Sequence, residues 1–283
     1  MTPKDILLHL RLPFSLFLMP VYWFSLSQSP SFDATIAVWV FIIWHLLVYP
    51  ASNAYNSYFD KDEGSIGGLE KPPAVDKKLF YVAWAMDILA VVLGFIFAGF
   101  AFAVAVLVYG LVSKSYSHTA VRLKKYPILS WLIVGFFQGF FVYMSTQQAV
   151  LQSFSSISSN ILPALLSSMM LWAVYPMTQI YQHEEDAKRG DQTLSILLGI
   201  RGTFYFTAIV YSLAAIGFYV YLPTQQFPIF LLLTSPTLIF FLNWFRKVWT
   251  DESQANFKNT MWLNLLASLG LNVLFGVLLY LNL

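Results

Sequence analysis

The sequence of 283 residues contains no cysteine and little charge, since Asp, Glu, Lys and Arg make up only 11% of it where soluble domains carry about 25%. The absence of cysteine excludes disulfides, thiolate nucleophiles and cysteine-ligated zinc. A formal net charge of +2 is too small to indicate a nucleic-acid partner. Apolar residues, in contrast, make up 58% of the chain and aromatic residues 18%. This composition indicates a polytopic membrane protein.

Nine apolar stretches are candidate membrane spans, of which the fourth is short against the ~20 helical residues that a hydrocarbon core takes. They are 12–29, 34–59, 79–100, 101–115, 127–148, 160–182, 202–222, 227–245 and 260–282. The third and fourth divide one long apolar run at Gly99 and Phe100, where a tight turn must join two crossings.

All sixteen Lys and Arg residues fall before the first span, or at the end of or after an even-numbered span, as expected of cytoplasmic segments. The sequence therefore predicts an all-α fold of nine transmembrane helices around a central cavity. The predicted N-terminus is cytoplasmic, and the predicted location is the cell (inner) membrane.

Two of the cytoplasmic segments resemble one another at an offset of 126 residues, VYPASNAYNSYFDKDEG at 48–64 and VYPMTQIYQHEEDAKRG at 174–190. Such self-similarity indicates an internal duplication. We predict one membrane domain, 1–283, with a first repeat at about 12–126, a second at about 127–245 and a final helix at 260–282.

Each copy carries two amides and an aspartate at the spacing of one helix face. They are Asn53, Asn56 and Asp60 in the first copy, and Gln179, Gln182 and Asp186 in the second. Polar side chains at membrane depth usually face a cavity or a partner, although capping a helix end or bonding to a neighbouring helix is the alternative. Two carboxylates beside an apolar cavity suit a diphosphate held through Mg²⁺, which prefers oxygen ligands.

At these residues the sequence resembles the UbiA-type intramembrane prenyltransferases. Their first motif, N-D-x-x-D-x-x-x-D, is matched from Asn56 to Gly64, and their second, D-x-x-x-D, from Gln182 to Asp186. The segment Leu123-Lys124-Lys125-Tyr126-Pro127 looks like the basic loop of the family. The chain departs from the pattern at Ser57, Gly64 and Gln182, where the family has Asp, which leaves open whether one or two Mg²⁺ ions bind.

The resemblance implies a Mg²⁺-dependent prenyltransferase, which transfers a prenyl group from an isoprenoid diphosphate to an aromatic acceptor in the membrane. The predicted catalytic residues are Asp60, Asp186, Asn56 and Gln182, and the predicted metal ligands are Asp60, Asp186, Glu63 and Glu185. The residues predicted to bind diphosphate are Lys71, Arg122, Lys124, Lys188, Arg201 and Tyr116.

Five further residues are candidates for the site: Asn53, Gln179, Asp62, Asp87 and His183. Asp87, inside the third span, would orient the acceptor or accept a proton, or else bond to another helix. His183 would act as a base or assist a ligand, or else only bond to the neighbouring acid.

Two other functions remain open from the sequence. A non-catalytic relative that binds an isoprenoid lipid is compatible with the missing aspartates. A secondary transporter is weakened because the repeated acids lie at one membrane face. The expected partners are an isoprenoid diphosphate, a hydrophobic acceptor and the lipid bilayer, with no nucleic acid. The acceptor, the length of the donor and the oligomeric state are left open.

Overall fold

The structure is a computed structural model that describes residues 1–29, 31–153 and 157–282. In this part of the chain there is no β-strand beyond an isolated bridge between Ile66 and Leu69. The helices are α1 (Pro3–Leu10), α2 (Met19–Ser27), α3 (Ala34–Asp60), α4 (Lys77–Ala98), α5 (Phe100–Ser117), α6 (Pro127–Leu151), α7 (Ile157–Val174), α8 (His183–Lys188), α9 (Leu194–Tyr221), α10 (Phe227–Thr250) and α11 (Phe257–Asn282). The chain is thus a helical membrane protein, as predicted.

Among the described residues, eight helices are long and apolar enough to cross a membrane, and a broken pair, Pro3–Phe17 and Met19–Ser27, makes the count nine. The first predicted span is therefore not one continuous helix. Arg11 ends α1 in a left-handed conformation, φ 49°, and Pro13 and Pro20 lack the N–H that a continuous helix needs.

Short polar side chains start several of the long helices. The Asp33 carboxylate accepts hydrogen bonds from the backbone N–H groups of Thr35 and Ile36 at the start of α3, at 2.7 and 3.0 Å. The Asp76 carboxylate accepts from Lys78 N at 2.7 Å at the start of α4. Because the first N–H groups of a helix have no intrahelical partner, these carboxylates fix where the helices begin.

The predicted division of the long apolar run at Gly99 is confirmed. Gly99, with φ 94° and ψ 170°, separates α4 from α5, and a side chain at this φ would be strained. The Gln152 side chain donates to the Ala98 carbonyl at 3.1 Å, which satisfies an oxygen at the end of α4.

The chain forms two compact units. Unit one consists of Met1–Leu16, Ser31–Lys124 and Ser145–Ser155, and unit two of Phe17–Pro30, Lys125–Met144 and Ser156–Leu283. The repeat boundaries at about 126 and 245 stay a prediction from the sequence.

Each unit has an aromatic core of its own. In unit one the fully buried Trp44 packs edge-on against Phe102 and Tyr109, with ring centroids 5.6 and 5.2 Å away. In unit two the buried Phe204 packs against Trp244 at 4.9 Å and Phe245 at 5.0 Å. Aromatic pairs of this kind stabilise a core beyond the area that they bury, and Trp44 lies on α3, the helix that carries the first polar motif.

Candidate functional site

The first motif lies at the C-terminal end of α3, where Asp60 is the last helical residue and Lys61 ends the helix in a left-handed conformation, φ 51°. A carboxylate is unfavourable at this end, because the helix dipole places partial negative charge there. Two basic side chains compensate for it. Lys124 Nζ lies 2.5 Å and Arg122 Nη2 3.8 Å from Asp60 Oδ1.

Asn56 is one helical turn before Asp60 and faces the same way, as the sequence predicts. Its amide nitrogen donates to Asp60 Oδ2 at 2.8 Å and to Ser117 Oγ on α5 at 2.9 Å. A second contact between the same helices, from Ser113 Oγ to Ser52 Oγ at 2.6 Å, lies about one turn away. Asn56 thus orients the Asp60 carboxylate and fastens the motif to α5.

The other residues predicted around the first motif are arranged differently. Asn53 donates to the Leu10 carbonyl at 3.3 Å, so it holds the N-terminal segment rather than Asp60. Glu63 and Lys71 lie beyond the end of α3 and are exposed, whereas Asp62 and Tyr116 are half-buried. The structure brings Asp60 together with Asn56, Arg122 and Lys124.

The second motif is not one continuous helix, and the expected common face for Gln179, Gln182 and Asp186 is wrong. A 3₁₀ turn, Tyr175–Thr178, follows α7, and α8 begins only at His183 with Gln182 as its N-terminal cap residue. Pro176 has no N–H to continue a helix here. The Gln179 side chain instead accepts from the backbone of Ser195 at 3.4 Å.

Asp186 nevertheless has a basic partner, as Asp60 does. Arg189 Nη2 lies 3.0 Å from Asp186 Oδ1, and Arg189 Nε lies 3.9 Å from Asp191 Oδ2. Gly190, φ 74°, turns the chain so that Asp191 N donates to the Asp186 carbonyl at 2.9 Å. Neither Arg189 nor Asp191 is among the site residues predicted from the sequence, although the Asp186–Arg189 spacing of three residues indicates neighbours on a helix.

His183 belongs to a chain of hydrogen bonds between α8 and α9. Its Nε2 lies 2.7 Å from Ser195 Oγ, and Ser195 Oγ lies 3.1 Å from Thr203 Oγ1. The bond expected to a neighbouring acid is replaced by one to a hydroxyl. Burial lowers the pKa of His183 below its usual value, because a desolvated imidazole is more stable in its neutral form.

The remaining predicted residues of unit two differ in exposure and in their partners. Arg201 is exposed and pairs with Glu252 at 3.2 Å, with its guanidinium 5.2 Å from the ring centre of Trp249. Lys188 is exposed, and Glu185 is half-buried.

Asp87 contacts another helix, which was one of its two predicted roles. It forms an ion pair with Lys114 of α5. The Lys114 ammonium also lies 4.8 Å from the ring centre of Tyr55 and 5.9 Å from that of Trp84, so aromatic faces help to stabilise it. Lys114 lies at the end of the predicted fourth span, 101–115, and the sequence does not indicate its partner on α4.

The residues around the two aspartates fit a metal that arrives together with a phosphate ligand. Within the described ranges, no three His, Asp or Glu side chains form a ready-made cation cage. Mg²⁺, however, usually binds through one or two carboxylates plus substrate phosphates and water. Asp60 and Asp186 each supply one buried carboxylate with a basic group beside it, which suits both the metal and the phosphate.

The chain is similar to known proteins over most of its length. The model of the UbiA prenyltransferase family matches residues 16–266. A UbiA homolog from Archaeoglobus fulgidus, solved bound to GPP and Mg²⁺, is 14% identical with a TM-score of 0.69, over 98% of this chain and 99% of that one. An apo UbiA homolog from Aeropyrum pernix K1 is 16% identical with a TM-score of 0.70, over 95% and 98%.

A third solved structure, which concerns digeranylgeranylglyceryl phosphate synthase in membranes, is 18% identical with a TM-score of 0.59, over 98% of this chain and 97% of that one. No curated protein matches the chain. At these identities the solved structures establish a shared fold.

Proposed function

Because the chain belongs to the UbiA prenyltransferase family, whose model covers residues 16–266, we propose that it transfers a prenyl group from an isoprenoid diphosphate to an aromatic acceptor in the membrane, in a Mg²⁺-dependent reaction. The observation that carries this proposal is the pairing of each motif aspartate with basic side chains. Asp60 lies beside Lys124 and Arg122, and Asp186 beside Arg189.

These residues would have different roles in binding a diphosphate and its metal. Asp60 and Asp186 offer carboxylate oxygens to a hard cation, and Asn56 orients the first of them. Lys124, Arg122 and Arg189 donate charge-assisted hydrogen bonds to phosphate oxygens. When bound, Mg²⁺ would stabilise negative charge on the departing diphosphate.

The reaction breaks the bond between the prenyl carbon and the diphosphate oxygen and forms a bond from that carbon to the acceptor, which loses a proton. Positioned cationic groups favour this step because they stabilise the charge that develops on the leaving group. Water must be excluded so that it doesn't capture the allylic cation. The apolar membrane helices supply that exclusion.

The other predicted contacts are part of the same proposal. Lys71, Lys188, Arg201 and Tyr116 would add donors to the diphosphate, Glu63 and Glu185 would add metal ligands, and Gln182 would assist as an oxygen ligand or an amide donor. Each is tested by a single substitution, to Gln for the charged residues, to Phe for Tyr116 and to Ala for Gln182. A change in the Michaelis constant for the diphosphate would support its place at the site.

The experiment that tests the function uses the full chain in lipid nanodiscs with geranylgeranyl diphosphate, Mg²⁺ and a panel of aromatic acceptors. Pyrophosphate release that needs both an acceptor and Mg²⁺, and that stops with a chelator, is the expected result. Asp60→Asn and Asp186→Asn should each abolish it. Turnover that is unaffected by both substitutions would contradict the proposal.

A non-catalytic relative is the second candidate, and Ser57, Gly64 and Gln182 favour it because the family carries acids there. It would show Mg²⁺-linked binding of geranylgeranyl diphosphate in titration calorimetry without any pyrophosphate release. A transporter would show neither metal-linked binding nor release.

A further inference from the structure

Each motif aspartate is already neutralised by a basic side chain of its own unit. In unit one, Lys124 Nζ lies 2.5 Å from Asp60, whose side chain is 4% exposed. In unit two, Arg189 Nη2 lies 3.0 Å from Asp186, whose side chain is 9% exposed. Burying a carboxylate is unfavourable unless a cation or hydrogen-bond donors lie beside it, so these contacts offset the cost of burying both aspartates in the absence of a metal.

These contacts compete with the metal of the proposed reaction. A carboxylate oxygen that binds Mg²⁺ holds it at ~2.0–2.1 Å, and an ammonium or guanidinium at hydrogen-bond distance from the same oxygen would face the metal's charge in a poorly screened site. Lys124 and Arg189 must therefore leave those oxygens when the metal binds to them.

A diphosphate provides the new partner for the displaced cations. Its oxygens accept charge-assisted hydrogen bonds from Lys and Arg, and it arrives with the metal that displaces them. We propose that Lys124 and Arg189 are exchangeable counter-ions, which neutralise Asp60 and Asp186 in the metal-free protein and transfer to the diphosphate when it binds with Mg²⁺. This inference rests on the proposed function.

In unit two, Arg189 lies near a second carboxylate besides that of Asp186. Its guanidinium also lies near Asp191, with Nε 3.9 Å from an oxygen of a side chain that is 1% exposed. Arg189 can thus give up its contact with Asp186 and still keep a carboxylate partner. Asp191 thus positions the Arg189 guanidinium, which is the counter-ion of unit two.

The inference predicts opposite effects on two affinities when a counter-ion is removed. In Arg189→Gln and Lys124→Gln, the affinity for Mn²⁺ alone, measured by electron paramagnetic resonance, should rise about tenfold because the carboxylate loses its competing cation. The affinity for geranyl diphosphate with Mg²⁺ should fall about tenfold because the diphosphate loses a donor. A purely structural role would weaken both.

Matched controls carry the same substitutions at exposed basic residues, Arg246→Gln in unit two and Lys4→Gln in unit one. They should change neither affinity. Thermal unfolding checks that each variant is folded. If a Gln variant is not folded, it is replaced by Arg189→Met or Lys124→Met, which keep the apolar stem of the side chain.

If the wild type binds geranyl diphosphate with Mg²⁺ but the variants lose both affinities, or keep the Mn²⁺ affinity unchanged, the counter-ion exchange is overturned, whereas the proposed function is still judged by pyrophosphate release. If the wild type binds neither geranyl nor geranylgeranyl diphosphate with Mg²⁺, the proposed function fails and the exchange fails with it.

Discussion

Lys114 and Asp87 form a buried ion pair between α5 and α4. Two charges in a membrane interior are tolerated when they neutralise each other. One turn beyond Lys114 on α5, Ser117 accepts the hydrogen bond of Asn56. The ion pair therefore fixes the helix that orients the first motif.

Removing one partner of this pair should lower the free energy of unfolding far more than removing both. Lys114→Met leaves Asp87 buried without its cation and should lower the free energy of unfolding by about 3–5 kcal/mol, whereas the double variant Lys114→Met/Asp87→Leu should come close to the wild type. Unfolding by denaturing detergent, followed by circular dichroism, measures both. Equal losses in the single and double variants would show that the pair is not coupled.

The two motif aspartates are expected to act as one unit in catalysis. Asp60→Asn and Asp186→Asn should each lower kcat by about 10²-fold or more, the loss typical of removing one transition-state contact. The double variant should be no worse than either, because groups that act together are non-additive. Initial rates of pyrophosphate release provide the test, and losses that multiply would indicate independent sites.

Replacing Gln182 with Asp should strengthen metal binding. The change restores an acid that the family carries, at the N-terminal cap of α8, where a carboxylate is favourable. It should lower the Mg²⁺ concentration for half-maximal activity by about tenfold, which corresponds to ~1.4 kcal/mol. Loss of activity in a folded Gln182→Asp variant would instead identify a required amide.

The membrane topology can be tested against a background free of native thiols, since the chain has no cysteine. Cysteines introduced at the exposed Lys71, Lys125, Lys188 and Lys258 should react together with an impermeant maleimide in inside-out vesicles. Cysteines at Ser31 and Gln225 should react only in right-side-out vesicles. Mixed labelling within either group would contradict the nine-span topology.

Acid should destabilise the contact between α8 and α9. Because burial lowers the pKa of His183 from its ordinary 6.5, the unfolded chain binds a proton first as the pH falls, and the stability that neutral His183 contributes is lost below about pH 6.5. The melting temperature of the wild type should drop between about pH 7 and pH 5 more than that of His183→Asn. Parallel melting curves for the two proteins would count against a buried neutral imidazole.

The sequence predicts α3 and its polar face well, because the spacing from Asn56 to Asp60 lies within one uninterrupted helix. Charge counting predicts that the apolar run from Leu79 to Val112 makes two crossings, since a single crossing would scatter Lys and Arg over both sides. The arrangement around Asp186 was not predictable from helical spacing, because a 3₁₀ turn and the cap at Gln182 break the helix. Nor was the burial of Lys114, because its partner is 27 residues away on a neighbouring helix.

The turn at Gly99 also bears on how the chain enters the membrane during synthesis. One glycine joins α4 to α5, so the far side of this hairpin has no polar loop whose translocation would cost free energy. Between Leu79 and Ser117 the charged residues are Asp87 and Lys114, and they lie side by side once the hairpin has formed. The two helices can thus partition into lipid as a single electrically neutral hairpin.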